Sequence, residues 1–191
     1  MRQIILASTS PRRKKLLKQL GLAFTVVSSD IEEKLNPRLK PRGQVELLAL
    51  QKAEAVAAKF EDAIIIGADT LVAYGDDVIG KPRDAQDAKR MLKKLSGRQH
   101  TIVTGFVLID TQARRTIIKS METKVWFKKL SPQEISKYIA TEKPLDKAGA
   151  YALQDLGATF VEKIEGDFFG AVGLPLFLLA RELKKLGVEV L

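Results

Sequence analysis

The chain has 191 residues, 46% of them apolar, and carries a net charge of +9 with a pI near 9.7. It has no cysteine and one histidine, which excludes disulfides, thiolate metal sites, a cysteine nucleophile and a multi-histidine zinc centre. Any metal must be held mainly by carboxylates, which points to a hard ion such as Mg²⁺ or Mn²⁺, and the positive charge calls for an anionic partner, either nucleic acid or a small polyanion such as a nucleotide.

The length suits a single domain, 1–191, with two lobes. The apolar runs are too short to span a bilayer and no signal peptide opens the chain, so the expected setting is the cytoplasm. The basic residues are spread along the chain, and it lacks an aromatic-rich strand of the kind that stacks bases. Nucleic acid is therefore not the favoured partner.

Behind the apolar run Ile4-Ile5-Leu6 stands Ala7-Ser8-Thr9-Ser10-Pro11-Arg12-Arg13-Lys14-Lys15. This reads as a strand, a polar turn and a helix start, with Ser10 as N-cap and Pro11 in the first turn. Leu16, Leu17 and Leu20 recur at helical spacing until Gly21 ends the helix. Four cations fill the helix start, where the macrodipole is already positive and each exposed cation costs a few tenths to about 1 kcal/mol. Open N–H groups, small hydroxyls and forked guanidinium groups together suit a phosphate, although a solvated basic helix would read the same way.

Residues 24–27 read as a second strand that releases Asp30, Glu32 and Glu33 into a loop, and residues 36–43, with Pro37 and Pro41, read as a further loop. From Gln44 the apolar spacing is helical and carries Lys52 beside Ala53. Ile64-Ile65-Ile66 is the continuous run of a strand buried on both faces, and Gly67-Ala68-Asp69-Thr70 follows it. The expectation is a strand end that points one carboxylate, Asp69, into a crevice, although Asp also commonly serves a turn.

Residues 71–79 form an expected hairpin delivering Gly80-Lys81-Pro82, in which Lys81 is held between two conformationally restrictive neighbours. A helix over residues 84–95 ends at Ser96-Gly97-Arg98, and two strands follow, over residues 101–109 and 116–127. His100 has no evident partner and reads as structural. Ser131-Pro132-Gln133-Glu134 is a capping box for a helix reaching about Thr141. Asp146-Lys147-Ala148-Gly149-Ala150-Tyr151 forms a tight loop leading to Gln154, whose amide can both donate and accept, as reading a base edge requires. A strand over residues 159–164 and a closing helix over residues 175–186 complete the chain.

The ordered motifs Ser8-Thr9-Ser10-Pro11-Arg12-Arg13, Gly67-Ala68-Asp69-Thr70, Gly80-Lys81-Pro82, Ser96-Gly97-Arg98, Asp146-Lys147-Ala148-Gly149-Ala150-Tyr151 and Gly173-Leu174-Pro175 resemble those of the Maf, or septum-formation-inhibitor-like, family of nucleoside triphosphate pyrophosphatases. The resemblance covers essentially the whole chain. It implies an α/β fold with a mixed twisted sheet flanked by helices, two lobes around a cleft, similar to inosine triphosphate pyrophosphatase, and commonly a homodimer. It further implies hydrolysis of a nucleotide to the monophosphate and pyrophosphate in the cytoplasm. By motif position, Asp69 matches the catalytic acid/base, and Arg12, Thr70 and Gln154 match the substrate-selectivity positions. Ser8, Arg13, Glu33, Lys52 and Lys81 match the polar lining of the cleft.

In the mechanism this suggests, Asp69 and Glu33 hold a divalent cation, and Ser8, Arg13, Lys52 and Lys81 bind phosphate. Water then attacks the α-phosphorus. The 146–154 loop resembles the branch acting on dTTP and UTP rather than 7-methyl-GTP, but that branch usually reads Gly-Ile-Gln-Gly where this chain has Ala152-Leu153-Gln154-Asp155. The competing expectation is a non-catalytic nucleotide- or nucleic-acid-binding regulator of cell division.

Overall fold

A computed structural model describes residues 2–141 and 143–190. Its centre is a seven-stranded mixed sheet. In chain order the strands are β1 (Gln3–Leu6), β2 (Thr25–Val26), β3 (Ala63–Tyr74), β4 (Asp77–Ile79), β5 (Gln99–Asp110), β6 (Arg115–Phe127) and β7 (Val161–Glu165). The spatial order is β2-β1-β3-β5-β6-β7, with β4 paired to β3. β1 runs parallel to β2 and β3, and the remaining pairs are antiparallel. The helices are α1 (Pro11–Lys18), α2 (Pro41–Ala57), α3 (Ala85–Leu95), α4 (Pro132–Ile139), α5 (Phe168–Val172) and α6 (Leu176–Lys184). Among the described residues no helix is long and apolar enough to cross a membrane.

The run Ile64-Ile65-Ile66 is buried on both faces, as its composition requires. Ile64 and Ile66 join the larger core with Leu16 and Leu17 of α1, Leu92 and Leu95 of α3, Ile135 of α4, and Leu179 and Leu183 of α6. Ile65 faces the opposite way, into a smaller core with Ala49, Ala53 and Val56 of α2.

The second core is thin because two glycines let α2 lie almost on the sheet. A Cβ on Gly67 of β3 would meet the Ala49 carbonyl oxygen at 2.4 Å, and one on Gly105 of β5 would meet the Val45 backbone at 2.8 Å. These strand-interior glycines mark a close backbone approach. The Gly67 tetrad therefore does not end the strand, as its composition suggests. β3 continues through it to Tyr74, and Asp69 and Thr70 lie mid-strand, opposite Gly105 and Thr104 of β5.

On the other side of β3 the pairing is split. β1 pairs along it as far as Ile66, extended by the Ala7 N–H to the Ile66 carbonyl at 2.8 Å, and β4 takes over only from Val72. Residues 67–71 thus border a gap just where the chain leaves β1 for α1. In sheets of this kind, ligands are received beyond the carboxyl ends of parallel strands.

Several elements differ from the sequence expectation. α2 begins at Pro41, because proline suits a first helical turn and Lys40 takes the N-cap position. Residues 156–160 form a 3-10 turn, so the last strand starts at Val161. α5 was not anticipated; it is a short turn started by Asp167, whose carboxylate accepts from the Gly170 N–H at 2.8 Å.

The glycine contacts yield a direct expectation. Gly67→Ala should cost about 1–3 kcal/mol or more by overpacking against backbone. Gly80→Ala meets open space and should stay within about 0.5 kcal/mol. Urea unfolding of both variants measures the difference.

Candidate active site

The gap beside β3 opens into a cavity of about 560 Å³. Ser8, Arg12, Arg13, Glu33, Lys52, Asp69, Thr70, Lys81 and Gln154 all line it, so every residue singled out from the sequence reaches one space.

Its deepest feature is an ion-paired triad. α2 delivers Lys52, only 6% exposed, to Asp69, only 5% exposed. Lys52 Nζ donates to Asp69 Oδ1 at 2.6 Å and stands 2.8 Å from Glu33 Oε1, so one ammonium bridges two carboxylates. The other Asp69 oxygen, Oδ2, is buried without a hydrogen-bond partner. Burial pushes the Asp69 carboxyl above its ordinary value, against the opposing charges of Lys52 and Arg13. Glu33 is half-exposed. Burial acts upward on it too, but the Lys52 hydrogen bond and the charges of Lys52, Lys81 and Arg13 leave it below its ordinary value.

The second feature is the start of α1. Ser10 occupies the N-cap position, yet its side chain makes no capping hydrogen bond and the first turn holds no acidic residue. The hydroxyl used there belongs to Ser8, whose Oγ accepts from the Ser10 N–H at 3.3 Å and from Arg13 Nη1 at 3.2 Å. Arg13 also donates from Nη2 to Thr70 Oγ1 at 3.2 Å and from Nε to the Gly173 carbonyl at 3.1 Å. Its guanidinium therefore braces the start of α1 against β3 and the end of α5. Arg12 lines the same cavity.

The 146–154 loop closes the cavity. The Gly149 N–H donates to the Gly80 carbonyl at 3.0 Å, tying this loop to the turn that carries Lys81. Gly149 and Ala150 both take positive φ, 70° and 59°, and the alanine is strained there, as segments that shape sites often are. Asp146 and Lys147 pair at 2.6 Å at the cavity wall.

His100, expected to lack a partner, has one: its Nε2 lies 2.6 Å from the hydroxyl of Tyr151, a cavity-lining residue. The imidazole stacks edge-on with Phe127 and Tyr151, and burial pushes its pKa down to about 4. It supports the loop from behind.

Sequence reasoning missed Thr104. Its Oγ1 lies 2.9 Å from Thr70 Oγ1 and donates to the Gly170 carbonyl at 2.8 Å. Thr104-Gly105 interrupts a run of apolar strand residues, and that interruption was the available signal.

Among the described residues no cluster of three or more His, Asp or Glu side chains forms a metal centre. The two carboxylates present are nevertheless a fitting donor set for a hard cation that takes its other ligands from phosphate and water. The unpartnered Asp69 Oδ2 is an oxygen left over for such a ligand.

The Maf-like protein family matches residues 3–186. A dTTP/UTP pyrophosphatase of Alkaliphilus oremlandii is 50% identical over 185 residues, covering 96% of each chain. One of Methanosarcina barkeri is 48% identical over all 191 residues, covering 97% of that protein. Among solved structures, the Ham1 protein of Staphylococcus aureus matches 66% of this chain and 72% of its own, with 14% identity and a TM-score of 0.47.

Two expectations follow from the buried groups. Because the native Asp69 carboxyl sits above 3.8, ionising it opposes folding increasingly as pH rises from 3.8 through the raised value. Asp69→Asn should therefore unfold at a temperature equal to or above that of the parent at neutral pH, and the advantage should shrink as pH falls toward 3.8; calorimetry at several pH values measures this. The imidazole NMR signals of His100 should show no protonation from about pH 8 to about pH 5, because burial keeps the ring neutral.

Proposed function

The chain belongs to the Maf-like protein family, and on that premise we propose that it is a nucleoside triphosphate pyrophosphatase acting on dTTP and UTP. The observation that carries this reading is the buried Asp69–Lys52–Glu33 triad facing the cation-rich start of α1 across one cavity. A site that only grips phosphate gains nothing from a buried carboxylate, whose charge opposes the ligand's. A hydrolase needs one to take a proton.

In this proposal the triphosphate lies between the start of α1 and Lys81. Backbone N–H groups of the uncapped first turn and the guanidinium groups of Arg12 and Arg13 receive its oxygens. Asp69, with a raised proton affinity, accepts a proton from water as the water oxygen attacks the α-phosphorus. The bond from the α-phosphorus to the bridging oxygen breaks, leaving the nucleoside monophosphate and pyrophosphate. Lys52 and Lys81 offset the charge that accumulates on the phosphoryl oxygens. Lys52 also keeps Asp69 ionised enough to act, because its ammonium is the nearest counter-charge.

Asp69 and Glu33 are the residues that would hold a divalent cation, which would supply charge neutralisation at the phosphates. Gln154, in the loop over the cavity, and Thr70 face the nucleoside. Homodimer formation, a two-lobed single domain and a cytoplasmic setting belong to the same reading.

The test is a hydrolysis panel of dTTP, UTP, CTP, ATP, GTP and 7-methyl-GTP with Mg²⁺ or Mn²⁺, resolving pyrophosphate from orthophosphate. Pyrophosphate from dTTP and UTP is expected, and Asp69→Asn should lower kcat by about 10²–10⁴-fold with nucleotide binding kept. Orthophosphate as the product would replace the reading with a phosphatase, and no hydrolysis would replace it with a nucleotide-binding protein.

A further inference from the structure

The hydrogen bonds around Arg13 determine where two hydroxyl protons point. The Gly170 carbonyl can only accept, so the single proton of Thr104 is spent on it at 2.8 Å. The 2.9 Å contact between Thr104 and Thr70 must then use the proton of Thr70. One lone pair of Thr70 receives Arg13 Nη2 at 3.2 Å, which leaves this hydroxyl with one lone pair and no proton for the cavity it lines. Ser8, on the other branch of the same guanidinium, is the reverse. Its oxygen already accepts from Arg13 Nη1 and the Ser10 N–H, so its proton is what remains to offer.

We propose that Thr104, 1% exposed within β5, is a positioning residue for selectivity: by consuming the proton of Thr70 it makes that hydroxyl a pure acceptor for an N–H or O–H donor of the nucleoside. Phosphate oxygens, which only accept, are excluded from Thr70 and fall to Ser8 and the two guanidinium N–H groups of Arg13 not used within the protein. The donors a pyrimidine nucleotide offers are the imide N–H of uracil or thymine, the exocyclic amine of cytosine and the sugar hydroxyl, and Thr70 is assigned to the imide or the sugar. Cytosine carries a lone pair where uracil carries that imide proton, so an acceptor-only threonine at the imide position would reject it. Thr104 touches no substrate and acts through Thr70.

The substrate class rests on the pyrophosphatase reading above, and the test keeps the two separable. kcat/KM is measured for UTP, CTP and 3′-deoxy-UTP with the parent chain, Thr104→Val, Thr104→Ser, Thr70→Val and the Thr104→Val/Thr70→Val pair. Thr104→Val releases the Thr70 proton. It should shrink the preference for UTP by at least about tenfold, through KM rather than kcat. The preference lost is that over CTP if the donor is the imide, and that over 3′-deoxy-UTP if it is the sugar. Thr104→Ser should restore it, and Thr104→Val should add nothing once Thr70 is valine.

An equal loss on all substrates, a loss in kcat alone, or an undiminished effect in the Thr70→Val background would overturn the proposal. Should Thr104→Val fail to fold, Thr70→Val alone must show the same loss of preference, and unchanged ratios there overturn it. Calorimetric binding of UMP against CMP and 3′-deoxy-UMP reads the preference without turnover. A chain that prefers UMP through Thr104 yet releases no pyrophosphate supports the inference and defeats the parent reading. Hydrolysis with ratios unmoved does the reverse, and no binding of any of these nucleotides defeats both.

Discussion

The Lys52–Asp69 pair is the interaction on which the rest of the site depends. A lysine and an aspartate, each more than nine-tenths buried, are held 2.6 Å apart between a helix and a sheet. Replacing Lys52 would strand the buried Asp69 charge, at a typical cost of about 3–5 kcal/mol, whereas replacing Asp69 leaves Lys52 its pair with Glu33, so the carboxylate can be buried only as a unit with the lysine. That unit requires α2 to approach the sheet more closely than ordinary side chains allow. Gly67 and Gly105 supply the approach from the sheet, and Ala49 and Ala53 complete it from the helix. The packing of a small core thus sets the geometry of a carboxylate, and the low dielectric of that core raises the carboxylate's proton affinity.

The opposite side of β3 contributes the positive half. There the strand has lost β1 and not yet gained β4, and Asp69, Thr70 and Leu71 line the cavity at this break in the pairing. Arg13 crosses this opening. It spends Nε, Nη1 and Nη2 on three separate segments, which fixes a residue that would otherwise sweep a large volume and lowers the entropy lost on binding an anion. Adjacent residues of one strand thus serve the two sides, Asp69 pairing with Lys52 of α2 and Thr70 accepting from Arg13 of α1.

Much of this was legible in the sequence, for reasons that can be named. The run of isoleucines required a doubly covered strand, and Ser-Pro followed by four cations marked a helix start that suits either an anion or solvent. The reading of Gly67-Ala68-Asp69-Thr70 as a strand end failed because small residues signal either a break or a close approach, and only the partner decides which. Here the partner is α2. The short α5 was missed because five residues show no periodicity. Thr104 was hidden because a threonine in a β-rich segment is commonplace, and its meaning lies in Gly170, far along the chain. His100 seemed partnerless for the same reason, since Tyr151 belongs to another element.

The 152–155 segment departs from the glycine-containing pattern that the sequence resemblance implies, and its backbone has no need of glycine at either position. Asp155 sits at φ −117° and ψ −164°, extended geometry that any residue adopts, and Ala152 is not among the residues with positive φ. The conformational freedom of glycine is used earlier in the loop, at Gly149. Neither replacement therefore strains the folded loop, and each removes freedom from the unfolded chain, a change that stabilises by about 0.4–1 kcal/mol when the native backbone tolerates it. Asp155 also comes within 4.0 Å of Lys147, which already pairs with Asp146, so its charge is directed at the cation behind the loop. Gln154, between Ala152 and Asp155, lines the cavity.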